Sequence, residues 1–416
     1  MAELTNFPIT KILAKEIKDS HGNPTIEVTV FACPPLAGAG AASGTFSVPS
    51  GASTGSHEAH ELRDKDGLGV KDAIEKVNTV IAPRLVNQNV LNQKEIDRII
   101  IELDGTPNKD NLGGNSMIGV SIACAKAAAK ATDQEVYQYL GTLVEIKPSR
   151  KTPYLFMNLL EGGRHTKSGL AFQEYHVIPQ TDDINEAIDI GIKVQASLED
   201  IIKNDLGKES VVLGDEGGFA PEVSDIRKPL MYLTEAVGRN NLEGKVRFAL
   251  DVAASSFYGN GVYQVDGKNI SKEELMKIYD SLIAEFNLLS IEDPFNEEDF
   301  ESFGTLGRNH SRLKVVGDDL TVTNVLRLKK AIEMRSINAM IIKPNQIGTL
   351  SETLEVMKVA REGGIELIVS HRGEETNDDF IADLAFAFGC FGLKSGAPLK
   401  PERKVKYDRL VKISGK

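Results

Sequence analysis

The runs RFALD (247–251), LLSIED (288–293), KVVGDD (314–319), AMIIK (339–343), LIVSHR (367–372) and GLK (392–394) decide the fold. Each is a short apolar stretch ending on charge: Asp251, Glu292 and Asp293, Asp318 and Asp319, Lys343, His371 and Arg372, and Lys394. VVLGDE (211–216), ending on Asp215 and Glu216, reads as an earlier member of the series. Successive members lie roughly 23 to 41 residues apart, room for one strand, one helix and two turns. Buried parallel strands read as short β-branched runs, and a barrel gathers the C-terminal ends of its strands on one face. Acids, two lysines and a His-Arg pair are therefore expected to converge on one pocket, a metal-and-lysine active site.

Helical patterns fill the intervals: DINEAIDIGIKVQASLEDIIKND (183–205), SKEELMKIYDSLIAEF (271–286), TNVLRLKKAIEM (323–334) and SETLEVMKVAREG (351–363). From Thr152 onward this alternation implies a sheet with helical crossovers, and seven or eight repeats can be counted. Upstream the pattern differs. ITKILAKEI (9–17) and TIEVTVF (25–31) alternate in hydrophobicity around the turn residues DSHGNP (19–24), which predicts an antiparallel hairpin with one wet face. CPPLAGAGAASG (33–44) reads as a long hairpin loop; its GAGAASG is no dinucleotide fingerprint, because prolines precede it and SVPSGAS follows instead of a helix. Helices are predicted near 70–87 and 115–132, the latter rich in small residues suited to close packing. The expected architecture is α/β, with a small α+β N-terminal domain (1–142) followed by a modified TIM-type β/α barrel (143–416).

At 416 residues the chain exceeds a single core, and 41% hydrophobic with 26% charged residues is an ordinary globular composition. The net charge of -12 argues against nucleic acid or an anionic membrane as partner. An acidic protein that binds an anionic substrate needs clustered Lys/Arg or a metal. Cys33, Cys124 and Cys390 form no CxxC pair and read as free thiols of a reducing compartment. The opening MAELTNFPITKILAKEIKDS lacks a signal-peptide core and no run approaches transmembrane length, so a cytoplasmic location is expected.

Any one acid after a strand is common. Three behind successive β-branched runs, Asp251, Glu292 and Asp318 with no histidine among them, favour a hard cation such as Mg²⁺, which takes carboxylate oxygens at about 2 Å. Lys343 follows four apolar residues, and a nearby metal would push its pKa down toward general-base duty, while nearby carboxylates would push it up. Lys394 has the same placement. Glu216 in GDEGG and Glu174 in FQEY lie in the opposite half of the barrel, where a partly protonated carboxyl could donate to a leaving hydroxyl. SGASTG (50–55) holds three hydroxyls among glycines and could close over phosphate or metal, GGRH (162–165) is a second flexible candidate carrying His165, and His371-Arg372 offers a guanidinium to an anion.

Taken together, DSHGNPTIEV (19–28), VPSGASTGSHEAHELRD (48–64), LDGTPNKDNLGGNSMIGVS (103–121), GGRH, GDEGGFAP (214–221), SIEDPF (290–295), VGDDLTVTN (316–324), KPNQIGTLSET (343–353), SHR and LKSGAP (393–398) make a chain that resembles the enolase family over nearly its whole length. A lysine base working with Mg²⁺ is a well-known pattern of that superfamily rather than a deduction from this chain. The resemblance implies a barrel whose first units are not all parallel, and reversible dehydration of 2-phospho-D-glycerate to phosphoenolpyruvate in glycolysis and gluconeogenesis. It implies two Mg²⁺ per site, the first on Asp251, Glu292 and Asp318, the second on Ser53 together with the substrate phosphate. Lys343 would take the C2 proton and Lys394 would hold the substrate carboxylate. Glu216, hydrogen-bonded with Glu174, would protonate the leaving hydroxyl. His165 would belong to a closing loop, while His371 and Arg372 would contact carboxylate and phosphate. A homodimer is expected from the family.

The chain departs from the family pattern at several places. SHR continues as GEETND rather than SGETED, which puts Gly373 where a phosphate-contacting serine is usual and Glu374 where a glycine is. A lost hydroxyl, and a carboxylate near phosphate unless it points away, predict a raised KM. Ser256 stands in place of a glutamate, RHTKS (164–168) alters the mobile loop, the 33–44 hairpin is longer than usual, and Lys15 and His21 stand where arginines are common near the dimer contact. An acid-sugar dehydratase on the same barrel would not need SGASTG or the HR…LKSG set. A catalytically silent scaffold derived from an enolase is suggested by HRGEETND alone, and the complete set of acids and lysines speaks for activity.

Overall fold

The computed structural model describes residues 6–33, 41–51, 55–163, 166 and 169–415. The N-terminal unit is a three-stranded antiparallel sheet of β1 (Ile9–Lys18), β2 (Pro24–Ala32) and β3 (Ala42–Ser47), with β2 in the centre. The hairpin pairs Lys18 with Pro24 across the expected turn. Strand β3 begins inside the stretch read as loop, at Ala42; residues 34–40 of that stretch lie outside the described residues.

Helices follow: α1 (Lys71–Glu75), which passes through a π-helical turn at Lys76–Ile81 into α2 (Ala82–Leu85), then α3 (Gln93–Asp104), α4 (Gly114–Ala131) and α5 (Val136–Leu143). The small-residue run of α4 is buried along almost its whole length because it lies directly on β2 and β3. The approach is so close that a Cβ on Gly44 would stand 2.2 Å from the Ala127 backbone nitrogen. Only glycine fits there.

The second unit is a closed eight-stranded barrel in the order β4 (Tyr154–Glu161), β5 (Glu174–Pro179), β6 (Val246–Asp251), β10 (Leu288–Glu292), β11 (Lys314–Gly317), β12 (Ala339–Ile342), β13 (Glu366–Ser370), β14 (Gly392–Lys394) and back to β4. The barrel class is thereby borne out, including the irregular start: β5 is antiparallel to both neighbours, and every other pairing is parallel. Helices α6 (Ile184–Leu206), α7 (Lys228–Arg239), α8 (Lys272–Glu285), α9 (Phe300–Asn309), α10 (Val325–Glu333), α11 (Leu350–Glu362), α12 (Phe380–Ala387) and α13 (Pro401–Ser414) make up the outer layer. Inside, Phe156, Ile178, Leu289, Val316, Ile341 and Ile368 fill the barrel from successive strands.

Two features differ from the sequence reading. VVLGDE forms no barrel strand: Val212 and Leu213 are exposed, and the segment turns over the end of β4 instead. An unanticipated small antiparallel sheet, β7 (Tyr258–Gly259), β8 (Val262–Val265) and β9 (Lys268–Ile270), fills the interval between β6 and α8. The two units are joined by a buried polar contact. Asp97 of α3 accepts from the Ser351 backbone N–H (2.8 Å) at the start of α11, and Ser121 of α4 accepts from Leu350 N–H (3.0 Å). Backbone donors orphaned by the first turn of α11 are thus satisfied from the N-terminal unit.

Candidate active site

The C-terminal ends of the barrel strands open on one cleft. Asp251 and Glu292 are the last residues of β6 and β10 and lie side by side in register. Asp318 follows β11, Lys343 follows β12, His371 and Arg372 follow β13, and Lys394 ends β14. Glu174 reaches the same face for the opposite reason. Because β5 runs backwards, its first residue is at the open end, paired with Glu161 of β4 and Asp251 of β6.

Within the cleft the charges interleave. Lys394 Nζ donates to Asp251 Oδ2 (2.8 Å) and to both Glu292 oxygens (3.0 Å each), and lies 3.2 Å from Glu174 Oε1. Lys343 pairs with Asp318, whose other oxygen accepts from Gln346 Nε2 (3.0 Å). Asp318 also lies with Asp293 and Asp319, one ligand oxygen of each within 4.8 Å of the others. Asp293 is engaged as a brace, since its two oxygens accept the backbone N–H groups of Asp318 (3.0 Å) and Asp319 (2.7 Å). Strained backbone gathers here: Asp293, Val322 and Thr323 all have positive φ (42°, 41° and 50°). The strain is put to use at Thr323, whose hydroxyl accepts from Lys343 N–H (3.0 Å) and donates to Gln346 Oε1 (2.7 Å).

Glu216 sits on the turn that replaced the expected strand. Its carboxylate accepts from Asn158 Nδ2 (3.1 Å) and lies 3.2 Å from His371 Nε2, and ligand atoms of Glu174, Glu216 and His371 fall within 4.8 Å of one another. Two buried groups hold this arrangement. Glu161 accepts from the backbone N–H of Glu216 (3.1 Å) and of Gly218 (2.7 Å). Arg403, fully buried on α13, donates to His371 Nδ1, to the Arg372 carbonyl and to the Gly373 carbonyl (2.6 Å each). That donor on Nδ1 places the His371 proton on Nε2, facing Glu216.

Burial, then Glu174 nearby, raises the Asp251 pKa despite Lys394; burial, then Asp251, raises Glu292 well above the carboxylate range. Burial acts the same way on Asp318, but the Lys343 ammonium outweighs it and the pKa falls. Burial and the neighbouring Asp318 push Asp319 up to about 7. Burial lowers His371. Burial also opposes the charge on both lysines, yet the carboxylates prevail: Asp318 raises Lys343, and Asp251, Glu174 and Glu292 raise Lys394.

The enolase N-terminal domain model matches residues 9–140, and the enolase C-terminal TIM barrel domain model matches residues 150–416. The chain belongs to the enolase family. It is 46% identical over 412 residues to the enolase of Methanocaldococcus jannaschii, covering 98% of this chain and 95% of the other. It is 44% identical over 415 residues to that of Methanococcus aeolicus (98% and 95%), and 43% over 417 residues to that of Thermococcus kodakarensis (98% and 94%). The enzyme class is that of the family, a phosphopyruvate hydratase, which is a carbon–oxygen lyase.

An enolase uses a metal; among the described residues the carboxylates of Asp293, Asp318 and Asp319 bring ligand oxygens within 4.8 Å of one another, whereas Asp251, Glu292 and Asp318 do not form such a group. Asp251, Glu292 and Asp318 are buried oxygen donors on rigid strand ends, and two of them are held above their normal range by burial and mutual repulsion. A hard cation is what such a set accommodates. Of the residues singled out from sequence, Glu174, Glu216, Asp251, Glu292, Asp318, Lys343, His371, Arg372 and Lys394 come together, while Ser53 and His165 lie outside the described residues. Glu58, Glu161, His176, Gln346 and Arg403 were missed. Glu161 carried a usable signal: YLFMNLLE (154–161) is one more apolar run ending on an acid.

Proposed function

We propose that the chain catalyses reversible, Mg²⁺-dependent dehydration of 2-phospho-D-glycerate to phosphoenolpyruvate, serving glycolysis and gluconeogenesis in the cytoplasm as a homodimer. The observation that carries it is the order around the barrel rim. Glu174 and the neighbouring Glu216 stand at one end, then Asp251, Glu292 and Asp318, and Lys343 stands at the other. A substrate lying along that acidic row has a base at one carbon and an acid at the next.

Asp251, Glu292 and Asp318 would hold the first Mg²⁺, and Ser53 the second. Bound Mg²⁺ supplies positive charge against the substrate carboxylate as it becomes a dianion. Lys343, once it has released its own proton, takes the proton from C2. Lys394 steadies the carboxylate. Glu216, with Glu174 beside it, delivers a proton to the leaving C3 hydroxyl. Arg372 binds the phosphate, His371 contacts the carboxylate, and His165 joins the substrate-binding set. No helix among the described residues is long and apolar enough to cross a membrane.

The test is ultraviolet detection of phosphoenolpyruvate from 2-phospho-D-glycerate, with Mg²⁺ and then with excess chelator. Turnover that needs the metal and disappears in Lys343→Ala supports the assignment. Absence of turnover by folded, Mg²⁺-saturated protein overturns it.

A further inference from the structure

We propose that Lys400 is a positioning residue for Glu216, its ammonium fixing the turn that carries this carboxyl to the cleft. The inference rests on the reading of Glu216 as the proton donor.

Residues 214–218 are a turn held between opposite charges. On one side the backbone N–H groups of Glu216 (3.1 Å) and Gly218 (2.7 Å) go to the buried Glu161 carboxylate. On the other side the carbonyls are taken. Lys400 Nζ donates to the Gly214 and Asp215 carbonyls at 2.9 Å each. The Glu216 carbonyl accepts from Ala397 N–H (3.0 Å), and the Gly217 carbonyl accepts from Gln195 Nε2 (2.8 Å). A carboxylate therefore orders the donors and an ammonium orders the acceptors, and hydrogen bonds to charged groups are the strong ones.

Lys400 is half-buried at the start of α13, and its Nζ is directed at the two carbonyls. Its stem follows the turn closely: Gly217 has a φ of +91°, and a Cβ there would stand 3.1 Å from Lys400 Cγ. Lys400 does not line the cleft, so it can reach the reaction only through what it holds. Its segment, LKSGAPLK (393–400), also begins with Lys394, which lies among Asp251, Glu292 and Glu174. One stretch of chain thus sets Glu216 relative to the charged floor of the cleft, with Ala397 gripping the turn midway.

Lys400→Met keeps the stem and removes the donors, whereas Lys400→Arg keeps charge and donors. Misplacing a reacting group by about 1 Å costs up to about 10²-fold, so Lys400→Met should lower kcat for phosphoenolpyruvate formation by about 10- to 10²-fold, with KM within about twofold of the parent. Exchange of the C2 hydrogen in D₂O, which needs Lys343 and not Glu216, should persist, and Lys400→Arg should restore kcat. Exchange lost in step with turnover would mean a general structural defect and overturn the proposal. So would an unaltered kcat, or arginine no better than methionine. Lys400→Gln, with one neutral donor, is a second variant and should fall between the two. Amide hydrogen exchange read by mass spectrometry needs no turnover: peptides spanning 214–218 should lose protection in Lys400→Met and regain it in Lys400→Arg, and unchanged protection refutes the clamp. Absence of 2-phospho-D-glycerate turnover by the unmodified chain is failure of the underlying reading, and the proposal falls with it; turnover without the split between kcat and exchange is failure of the proposal alone.

Discussion

Glu58 is the residue outside the strand-end series whose removal should be felt most widely. Its Oε2 receives Arg372 Nη1 at 2.8 Å, and its Oε1 accepts from Gly55 N–H at 2.9 Å, at the end of the SGASTG loop. Arg372 is 4% exposed, and among the described residues its other side-chain hydrogen bond goes to Asn345 Oδ1 at 2.9 Å. Glu58→Gln keeps an oxygen for Gly55 but loses the charge, at a cost of about 1.5–3 kcal/mol for one charge-assisted bond. Glu58→Ala leaves a buried guanidinium without its counter-charge, and about 3–5 kcal/mol is expected. Equilibrium urea unfolding measures both. Inorganic phosphate, the anion proposed above to bind Arg372, should replace the missing charge and stabilise the glutamine variant more than the parent. A glutamine variant that unfolds at the parent midpoint, or phosphate stabilising the two equally, would refute the reasoning.

Lys343→Ala should reduce turnover by at least ~10²-fold while the chain stays folded, and should abolish solvent exchange of the C2 hydrogen followed by NMR in D₂O. Excess chelator should stop turnover and lower the thermal midpoint, since Asp251 and Glu292 lose the cation that offsets their burial; a midpoint indifferent to chelation would count against metal on these residues. Of the three cysteines, half-buried Cys33 should react with a thiol reagent in the native state. Cys124 and Cys390, both buried and with burial raising the first well above the thiol range and the second to about 12, should react only after unfolding. Gly373→Ser should lower KM if the missing hydroxyl weakens phosphate binding, and an unchanged KM would show that it does not.

The barrel was legible because a parallel strand must be apolar and must deliver its last residue to one face, so Asp251, Glu292, Lys343 and Lys394 announce themselves by position alone. Glu174 breaks that rule, being the first residue of a reversed strand: FQEY drew notice as a carboxyl in the opposite half of the barrel, but no local pattern marked the reversal. VVLGDE shows the opposite failure. Its composition is strand-like, yet Glu161 captures the Glu216 and Gly218 backbone and draws the segment into a turn, a tertiary effect no local pattern carries. His176 and Arg403 were hidden for a simpler reason. One histidine in YHVIP, or one arginine on a charged helix, acquires a role only when closure of the barrel sets it against Glu174 or His371.

Glu374 shows how far a substitution's meaning depends on direction. Beside a phosphate site an added carboxylate repels, but Gly373 lines the cleft while the Glu374 side chain turns toward the β1–β2 hairpin. There it accepts from Asn23 Nδ2 (3.0 Å) and lies 3.8 Å from His21 Nδ1, and its backbone exchanges two hydrogen bonds with Ser50 at the root of the SGASTG loop. Burial and Asp19 raise its pKa, so even its charge is resisted by its surroundings rather than projected at the substrate. Three segments distant in sequence (the hairpin turn, the SGASTG root and the turn after Arg372) are thereby tied at one residue. The physical consequence is that the Glu374 carboxylate faces this junction rather than the cleft, so the repulsion that composition suggested does not follow from its side chain.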